Sequence, residues 1–406
     1  MQTNVIAFIL AGGEGRRLFP LTSERSKPSV PFGGRYRIID FVLSNVINSG
    51  FYSIYILVQY KSQSLIQHIQ ENWNQVSVSG NQFITVVPPQ MLKGSDWFLG
   101  TSDAVFQNIN LLKAHNPTHV IIFGSDHIYR MDIAQMLDFH IQNNAKVTVA
   151  ARPVPIAEAS AFGVIKTKPD GRIERFEEKP KNPSPMPDDP TQAYASMGNY
   201  IFNIETLFEA LADSQKKNEY DFGGYILPSL VNKVPLYAYD FSLNKIPGMK
   251  PHEEKAYWRD VGTIDAYWKA HEDLLGAEPL FDLHNYQWPI HPSLSRLPSA
   301  KINGGTIINS TITDGVIINY ATIKNSIIRS GVIIEEGAEI NDCIIFEDCH
   351  IMPDCKLNHV IIDKNNVIKE GSRLGYDNVN DRYRLHIDEC GIGIIPKQKV
   401  KLICDF

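Results

Sequence analysis

"GVIIEEGAEINDCIIFEDCHIMPDCKL", Gly331 to Leu357, decides the fold of the C-terminal part of the chain. Large apolar residues stand at Ile334, Ile340, Ile345, Ile351 and Leu357, five or six positions apart. Two positions before each stands another of mostly small residues: Val332, Ala338, Cys343, Cys349 and Cys355. The pattern continues upstream through Ile312, Ile318, Ile323 and Ile328 and downstream through Ile362 and Ile368, with Ser310, Val316, Ala321, Ser326, Val360 and Asn366 in the smaller slots. A hexapeptide period of this kind is the signature of a parallel β-helix, in which each repeat forms one face of a triangular coil. Both residues of each pair are expected to point inward. The pattern speaks for a fold and says little about chemistry.

The repeat also accounts for the cysteines. All five follow residue 340, at Cys343, Cys349, Cys355, Cys390 and Cys404, and an odd count does not describe a disulfide framework. The first three occupy consecutive small slots. Thiolates suit zinc, but serine, alanine and valine fill the same slot elsewhere, so small core residues are the expected reading.

Upstream, to about residue 275, the periodicity changes. The runs "NVIAFIL" (4–10), "SIYILV" (53–58), "FITVV" (83–87), "HVIIFGSD" (119–126) and "KVTVAA" (146–151) read as buried strands. Segments with helical spacing separate them, among them "DFVLSNVINSG" and "DIAQMLDFHIQNN". Such alternation predicts an α/β domain with a mainly parallel, doubly wound sheet, whose ligands sit beyond the carboxyl ends of the strands. The stretch 278–300 has prolines and no period and reads as a linker. The expected organisation is a catalytic domain over 1–277, that linker, and a β-helix over 301–406. A net charge of −6 argues against general nucleic-acid binding. With no run of about 20 apolar residues for a membrane helix and no signal-peptide pattern, a cytoplasmic protein is expected.

One stretch is locally basic: "LAGGEGRRLFPLTSERSKPSVPFGG", Leu10 to Gly34. Gly12, Gly13 and Gly15 allow a sharp turn with backbone N–H groups close to a ligand, and Arg17 and Lys27 supply positive charge for phosphates. The spacing fits neither the P-loop nor the dinucleotide-binding pattern.

This stretch resembles the signature of the sugar-phosphate nucleotidyltransferases, Gly-Gly-x-Gly-Thr-Arg-Leu followed by Lys-Pro. Its continuation "GGRYRIIDFVLSNVINSG", with "WFLGTSDAVFQN", "SDHIYRMD", "FEEKP", "ASMGNYIF", "DFG" and "YWRDVGTIDAYW" in order, is similar to the bacterial glucose-1-phosphate adenylyltransferase family. The resemblance covers nearly the whole chain. It implies a Rossmann-like (GT-A-like) nucleotidyltransferase domain followed by a left-handed parallel β-helix. It also implies transfer of the adenylyl group of ATP to glucose 1-phosphate, in a homotetramer under allosteric control by a phosphorylated metabolite.

Carried over motif by motif, the resemblance implies Arg17, Lys27 and Asp126 as catalytic groups, and Asp126 and Asp260 as ligands of Mg²⁺. It places ATP against Gly12, Gly13, Gly15, Gln90, Gly100 and Thr101, with Trp97 a candidate wall, and glucose 1-phosphate against Gly163, Glu178, Lys179 and Ser196. His127 is expected to be structural. Arg25 and Arg37 match activator positions. Departures are present: Arg16 replaces a threonine, Phe98 a tyrosine, and "YDFGG" (220–224) keeps only the centre of its motif. Glu24 stands where the fructose-bisphosphate-activated members have lysine, Pro31 replaces a histidine and Asn358-His359 an arginine pair. A bisphosphate facing Glu24 would be repelled. Alternatives are a UTP- or dTTP-specific transferase, a non-catalytic regulatory subunit, or acyl transfer on the β-helix; for the last, His350 and His359 fall within the repeat.

Overall fold

The computed structural model describes residues 4–73, 82–90, 97–377 and 381–398. At the centre of its first half lies the strand Val5–Ala11, flanked in parallel by Ser53–Val58 and His119–Gly124, with Phe83–Val87 beyond Ser53–Val58. This is the parallel arrangement predicted from the apolar runs. Both faces of the strand are covered: Ile6 and Phe8 enter one hydrophobic core, Ala7, Ile9 and Ala11 the other. Period-two alternation with both faces buried makes its sequence read as an unbroken apolar run.

The other side of the sheet is antiparallel. The long strand Gln192–Asn203 runs against His119–Gly124 and also against Val147–Pro155 and Gly163–Thr167. Ile173–Glu178 closes this edge, and Leu236–Asp240 pairs in parallel with Val147–Pro155. The sheet is therefore joined from a parallel half and an antiparallel half, with the ends of Val5–Ala11 and His119–Gly124 facing the seam.

The helices fall close to the expected segments, at Ile38–Asn48, Gln63–Asn72 and Ile133–Gln142. Asp132 starts the last of these by accepting a bond from the Ala134 N–H at 3.0 Å. Two further short helices, Thr101–Gln107 and Ile109–His115, follow each other directly. At the break, the Asn108 side chain donates to the Ala104 carbonyl at 2.8 Å, competing for a backbone acceptor.

The C-terminal part is a parallel β-helix. Its register pairs Ile317 with Ile333, Ile333 with His350 and His350 with Val367, so each coil takes 16 or 17 residues. From Ile318 to Leu357 every large residue of the repeat is 0–1% exposed, as are the smaller ones from Val316 to Val360. Cys343, Cys349 and Cys355 are buried and unbridged, and Cys343 donates to its own strand's Asn341 carbonyl. Burial pushes the thiols of Cys343 and Cys349 up to about 12, which keeps them protonated. Cys404 lies outside the described residues. Among those residues, the only three-membered group of potential metal ligands is Asp126, His127 and Asp260, not the thiols.

The two parts share a third core. Leu18, Phe32, Tyr267 and Phe281 pack with Ile344, Phe346, Ile361 and Ile394 of the β-helix. The stretch 278–300 contributes Phe281 and Ile290 to it, and its Trp288 is also buried. It lacks a period because it is packed chain without a repeating secondary structure. No helix among the described residues is long and apolar enough to cross a membrane.

Candidate active site

Where the two halves of the sheet meet, a cavity of about 570 Å³ opens beyond the strand ends. The turn after Val5–Ala11 forms one wall with Gly12 and Gly13, both on the cavity. Gly15 lies behind it in a left-handed conformation (φ 68°). A Cβ there would stand 2.9 Å from the Cβ of Lys27, so glycine is needed both for the turn and for the close approach of Lys27.

Lys27 is the electrostatic centre. Its ammonium lies 3.0 Å from Asp126 Oδ2 and 3.0 Å from Asp260 Oδ1. Local strand pairing explains how residues so distant in sequence meet. His127–Tyr129 pairs antiparallel with Trp258–Asp260, setting Asp260 opposite His127 and beside Asp126. Ser125 ties this end of the sheet down by donating to the Leu10 carbonyl at 2.7 Å. Burial would lower the Lys27 pKa, yet the two carboxylates hold it above the ordinary lysine value. At Asp126 burial works upward, and His127 and Lys27 outweigh it, leaving the carboxyl well below its usual range.

Two hard carboxylates converging on one point fit a divalent cation, which takes one or two such ligands together with phosphate oxygens and water. The His127 ring packs on Trp258 (centroids 4.6 Å apart) with Nδ1 3.5 Å from Asp126 Oδ1. The packing agrees with the structural role expected for it and leaves it beside the carboxylate pair.

On the opposite wall, Gly163, Glu178, Lys179 and Ser196 come together as expected. Lys179 follows the strand Ile173–Glu178 in a left-handed conformation (φ 44°) uncommon for lysine. Its N–H donates to the Phe162 carbonyl at 3.1 Å, and its ammonium lies 3.4 Å from Glu178. Glycine at 163 matters because a Cβ would come within 3.0 Å of the Phe176 ring. At the third side, Gly100 and Thr101 begin the helix Thr101–Gln107. A Cβ on Gly100 would fall 2.2 Å from the Tyr220 carbonyl oxygen. Thr101 donates to Asp221 at 3.0 Å and accepts from the Phe222 N–H.

Four expected residues do not line the cavity. Gln90 is exposed, donates to the Pro88 carbonyl at 2.8 Å and does not line the cavity. Arg17 lines an adjoining cleft that shares Lys179 and Asp260, with its guanidinium against Gly262. Gly15 acts through Lys27. Trp97 stacks on Tyr60 at the rim (5.6 Å).

The cavity also holds residues the sequence reading did not assign. Gln59 follows the strand Ser53–Val58 and donates to the Phe98 carbonyl at 3.3 Å. Tyr200, Asp221 and Trp258 also line the cavity, Asp221 beside Thr101. Asp221 and Trp258 sit inside the quoted "DFG" and "YWRD", so a signal for them was present; Gln59 had none beyond its place at a strand end.

Arg25 and Arg37 are not in this cavity. Arg25 is 4% exposed and its NH2 lies 2.9 and 3.0 Å from the two oxygens of Asp363 on the β-helix. Arg37 donates to the carbonyl and hydroxyl of Ser64 at 2.9 Å. Around them stand Arg329 and Lys364, both paired with Glu347.

The nucleotidyl transferase family model matches residues 6–276, and the GlmU-like C-terminal hexapeptide model matches 296–395. A glucose-1-phosphate adenylyltransferase of Thermodesulfovibrio yellowstonii is 59% identical over 394 residues, covering 97% of this chain and 96% of its own. This chain belongs to the glucose-1-phosphate adenylyltransferase family. Relatives of the same name from Corynebacterium jeikeium (47% over 403 residues; 98% of this chain, 99% of its own) and Vibrio parahaemolyticus (44% over 403 residues; 98% of each) extend the match. The chain thus spans its relatives almost end to end, β-helix included.

Proposed function

We infer that this protein transfers the adenylyl group of ATP to glucose 1-phosphate, releasing pyrophosphate and forming ADP-glucose for glycogen or starch synthesis. The observation that carries this is the convergence of Asp126 and Asp260 on Lys27, each at 3.0 Å, between the Gly12–Gly13 turn and an opposite wall bearing Lys179, which we assign as the sugar wall. Two anionic substrates can lie with their phosphates meeting at that point.

A glucose 1-phosphate oxygen attacks the α-phosphorus in line, and the bond to the pyrophosphate oxygen breaks. The nucleophile is already anionic, so no general base is needed, and catalysis is positioning with charge neutralisation. Asp126 and Asp260 would hold a Mg²⁺ ion, which when bound would supply further charge neutralisation. The Gly12–Gly13 backbone and Lys27 hold the departing phosphates, with Arg17 reaching them from the adjoining cleft. Lys179 holds the sugar phosphate, while Glu178, Ser196 and the backbone of Gly163 take the hydroxyls. Gly100 and Thr101 border the base, where Gln59 supplies the cavity amide expected at Gln90.

The test is to incubate the protein with Mg²⁺, glucose 1-phosphate and ATP, UTP or dTTP in turn and to measure pyrophosphate. Turnover with ATP well above the others is expected. Turnover confined to UTP or dTTP, or none at all, overturns the reading.

The second anion site is proposed at Arg25 and Arg37, for a phosphorylated effector. Four cations, Arg25, Arg37, Arg329 and Lys364, gather at the junction, and Arg25 NH1 is buried without an acceptor. Burial lowers Lys364 to about 8 against the attraction of Glu347, and the neighbouring arginines push it further the same way. An incoming anion relieves that repulsion. Glu24 pairs with Lys397 at 3.1 Å, which sets it apart from the lysine of the bisphosphate-activated members. A cytoplasmic homotetramer is the assembly proposed, with the exposed Ile302, Ile308 and Tyr320 at the first coils as contact surface. Light scattering of the purified protein checks the subunit number.

A further inference from the structure

The segment that carries Lys27 is held from both sides by the β-helix. On one side Arg25, two residues before Lys27, is paired with Asp363, and both side chains are almost completely buried (5% and 1% exposed). On the other side Arg329 donates to the carbonyls of Phe32 and Gly33 at 3.0 and 2.7 Å. Weaker contacts follow the same line: Phe19 meets His386 edge to face, and Glu24 pairs with Lys397.

We propose that Asp363 is a positioning residue for adenylyl transfer: through Arg25 it fixes the depth at which Lys27 enters the active site. Asp363 itself is rigid. It directly follows the strand Lys356–Ile362, its Oδ1 accepts the Lys364 N–H at 2.7 Å, and its carbonyl accepts from Asn366 at 2.7 Å. Rigidity passes from Arg25 to Lys27 because the two are separated only by Ser26, whose carbonyl accepts the Ser29 N–H in the short helix Lys27–Ser29. Lys27 in turn is wedged against Gly15, so a shift of either moves the phosphate turn as well. A buried ion pair is a weak source of stability, since desolvation offsets most of the attraction, and a fixed register is its better-attested use. Displacement of a catalytic group by about 1 Å costs on the order of 10²-fold in rate. The brace acts on the ATP side alone, because Lys179 and Ser196 stand on the antiparallel half of the sheet.

The experiment uses the full-length protein without effector. ATP affinity is measured by isothermal titration, KM for each substrate by pyrophosphate release, and folding by thermal unfolding. For Asp363→Asn, ATP affinity is expected to fall about 5-fold, an energy near 1 kcal/mol, and kcat about 10-fold. KM for glucose 1-phosphate should change less than about 2-fold. Arg25→Lys, which keeps the charge but loses the planar fork, should weaken ATP binding in the same direction by a smaller factor and serves if Asp363→Asn does not fold. Asp363→Glu should recover part of the loss. Unchanged ATP affinity in the folded variants, or equal losses for both substrates, overturns the proposal. ATP binding is read independently of turnover, so a protein inactive with every nucleotide speaks against the adenylyl-transfer reading without deciding the role of Asp363.

Discussion

The β-helix and the active-site cleft bury their residues by opposite rules. Along the coil axis the same two slots recur, filled by Ile323, Ile328 and Ile334 and by Ala321, Ser326 and Val332. Other polar side chains form ladders between successive coils, such as Asn303 to Asn319 to Glu335. In the cleft nothing repeats. A buried lysine stands between two carboxylates, and another lysine adopts a backbone conformation few side chains accept. Stability is spread over many similar positions in one region, and reactivity is concentrated in a few unlike positions in the other. Away from the junction that Asp363 braces, substitutions should therefore separate into those that change rate and those that change melting.

The strongest challenge to that division is Asp126→Asn, which should lower kcat by about 10²-fold or more with little change in melting temperature. Near-normal pyrophosphate release would break the comparison at its centre. Lys179→Ala should raise KM for glucose 1-phosphate by about 10-fold, an energy near 1.4 kcal/mol, and leave KM for ATP nearly unchanged; equal rises for both would place Lys179 outside the sugar wall.

Acid probes the junction between the regions. His271 accepts the Gly33 N–H on Nε2 at 3.0 Å, and its Nδ1 lies 2.8 Å from the Tyr267 carbonyl. Burial holds His271 down to about 3 and His140 down to about 4, against 6.5 for an ordinary imidazole. The unfolded chain binds protons that the folded one refuses. Their contribution is complete above about pH 6.5 and is lost as the pH falls from there toward 4, at up to about 1.4 kcal/mol per pH unit for each ring. Urea unfolding across that range should show the decline, and His271→Gln should remove about one proton from its slope.

The mildest change lies on the coil axis. Ile345→Val should cost about 1 kcal/mol in unfolding free energy and leave both KM values and kcat unaltered. A change in kcat would show that the coil axis reaches the chemistry.

The two regions also differed in how much their sequence disclosed. Hexapeptide spacing named the inward residues of the β-helix nearly one by one, because a single geometric rule governs every coil. The parallel half of the sheet was legible for a similar reason, its strands being continuous apolar runs. The strand Gln192–Asn203 was not, since Ser196, Gly198 and Asn199 interrupt its pattern and its register shifts between Ser196 and Tyr200. That interruption is where it lines the cavity, at Ser196, Met197 and Gly198. At the site, Lys27, Asp126 and Asp260 were legible through their motifs. The Arg25–Asp363 pair was not, because no periodicity or motif links residues brought together only by domain packing. Gln90 departed from expectation for a local reason, its amide being satisfied by the neighbouring Pro88 carbonyl.

Two separate family models meet on this chain, as if a synthetic module had been joined to a repeat module. The core at their junction, with Phe32 and Tyr267 from one and Phe346 and Ile361 from the other, erases that seam physically. Cooperativity follows from it. Calorimetry should record one transition rather than two, and excising the repeat would leave the remainder with an open apolar wound and not with a smaller working transferase.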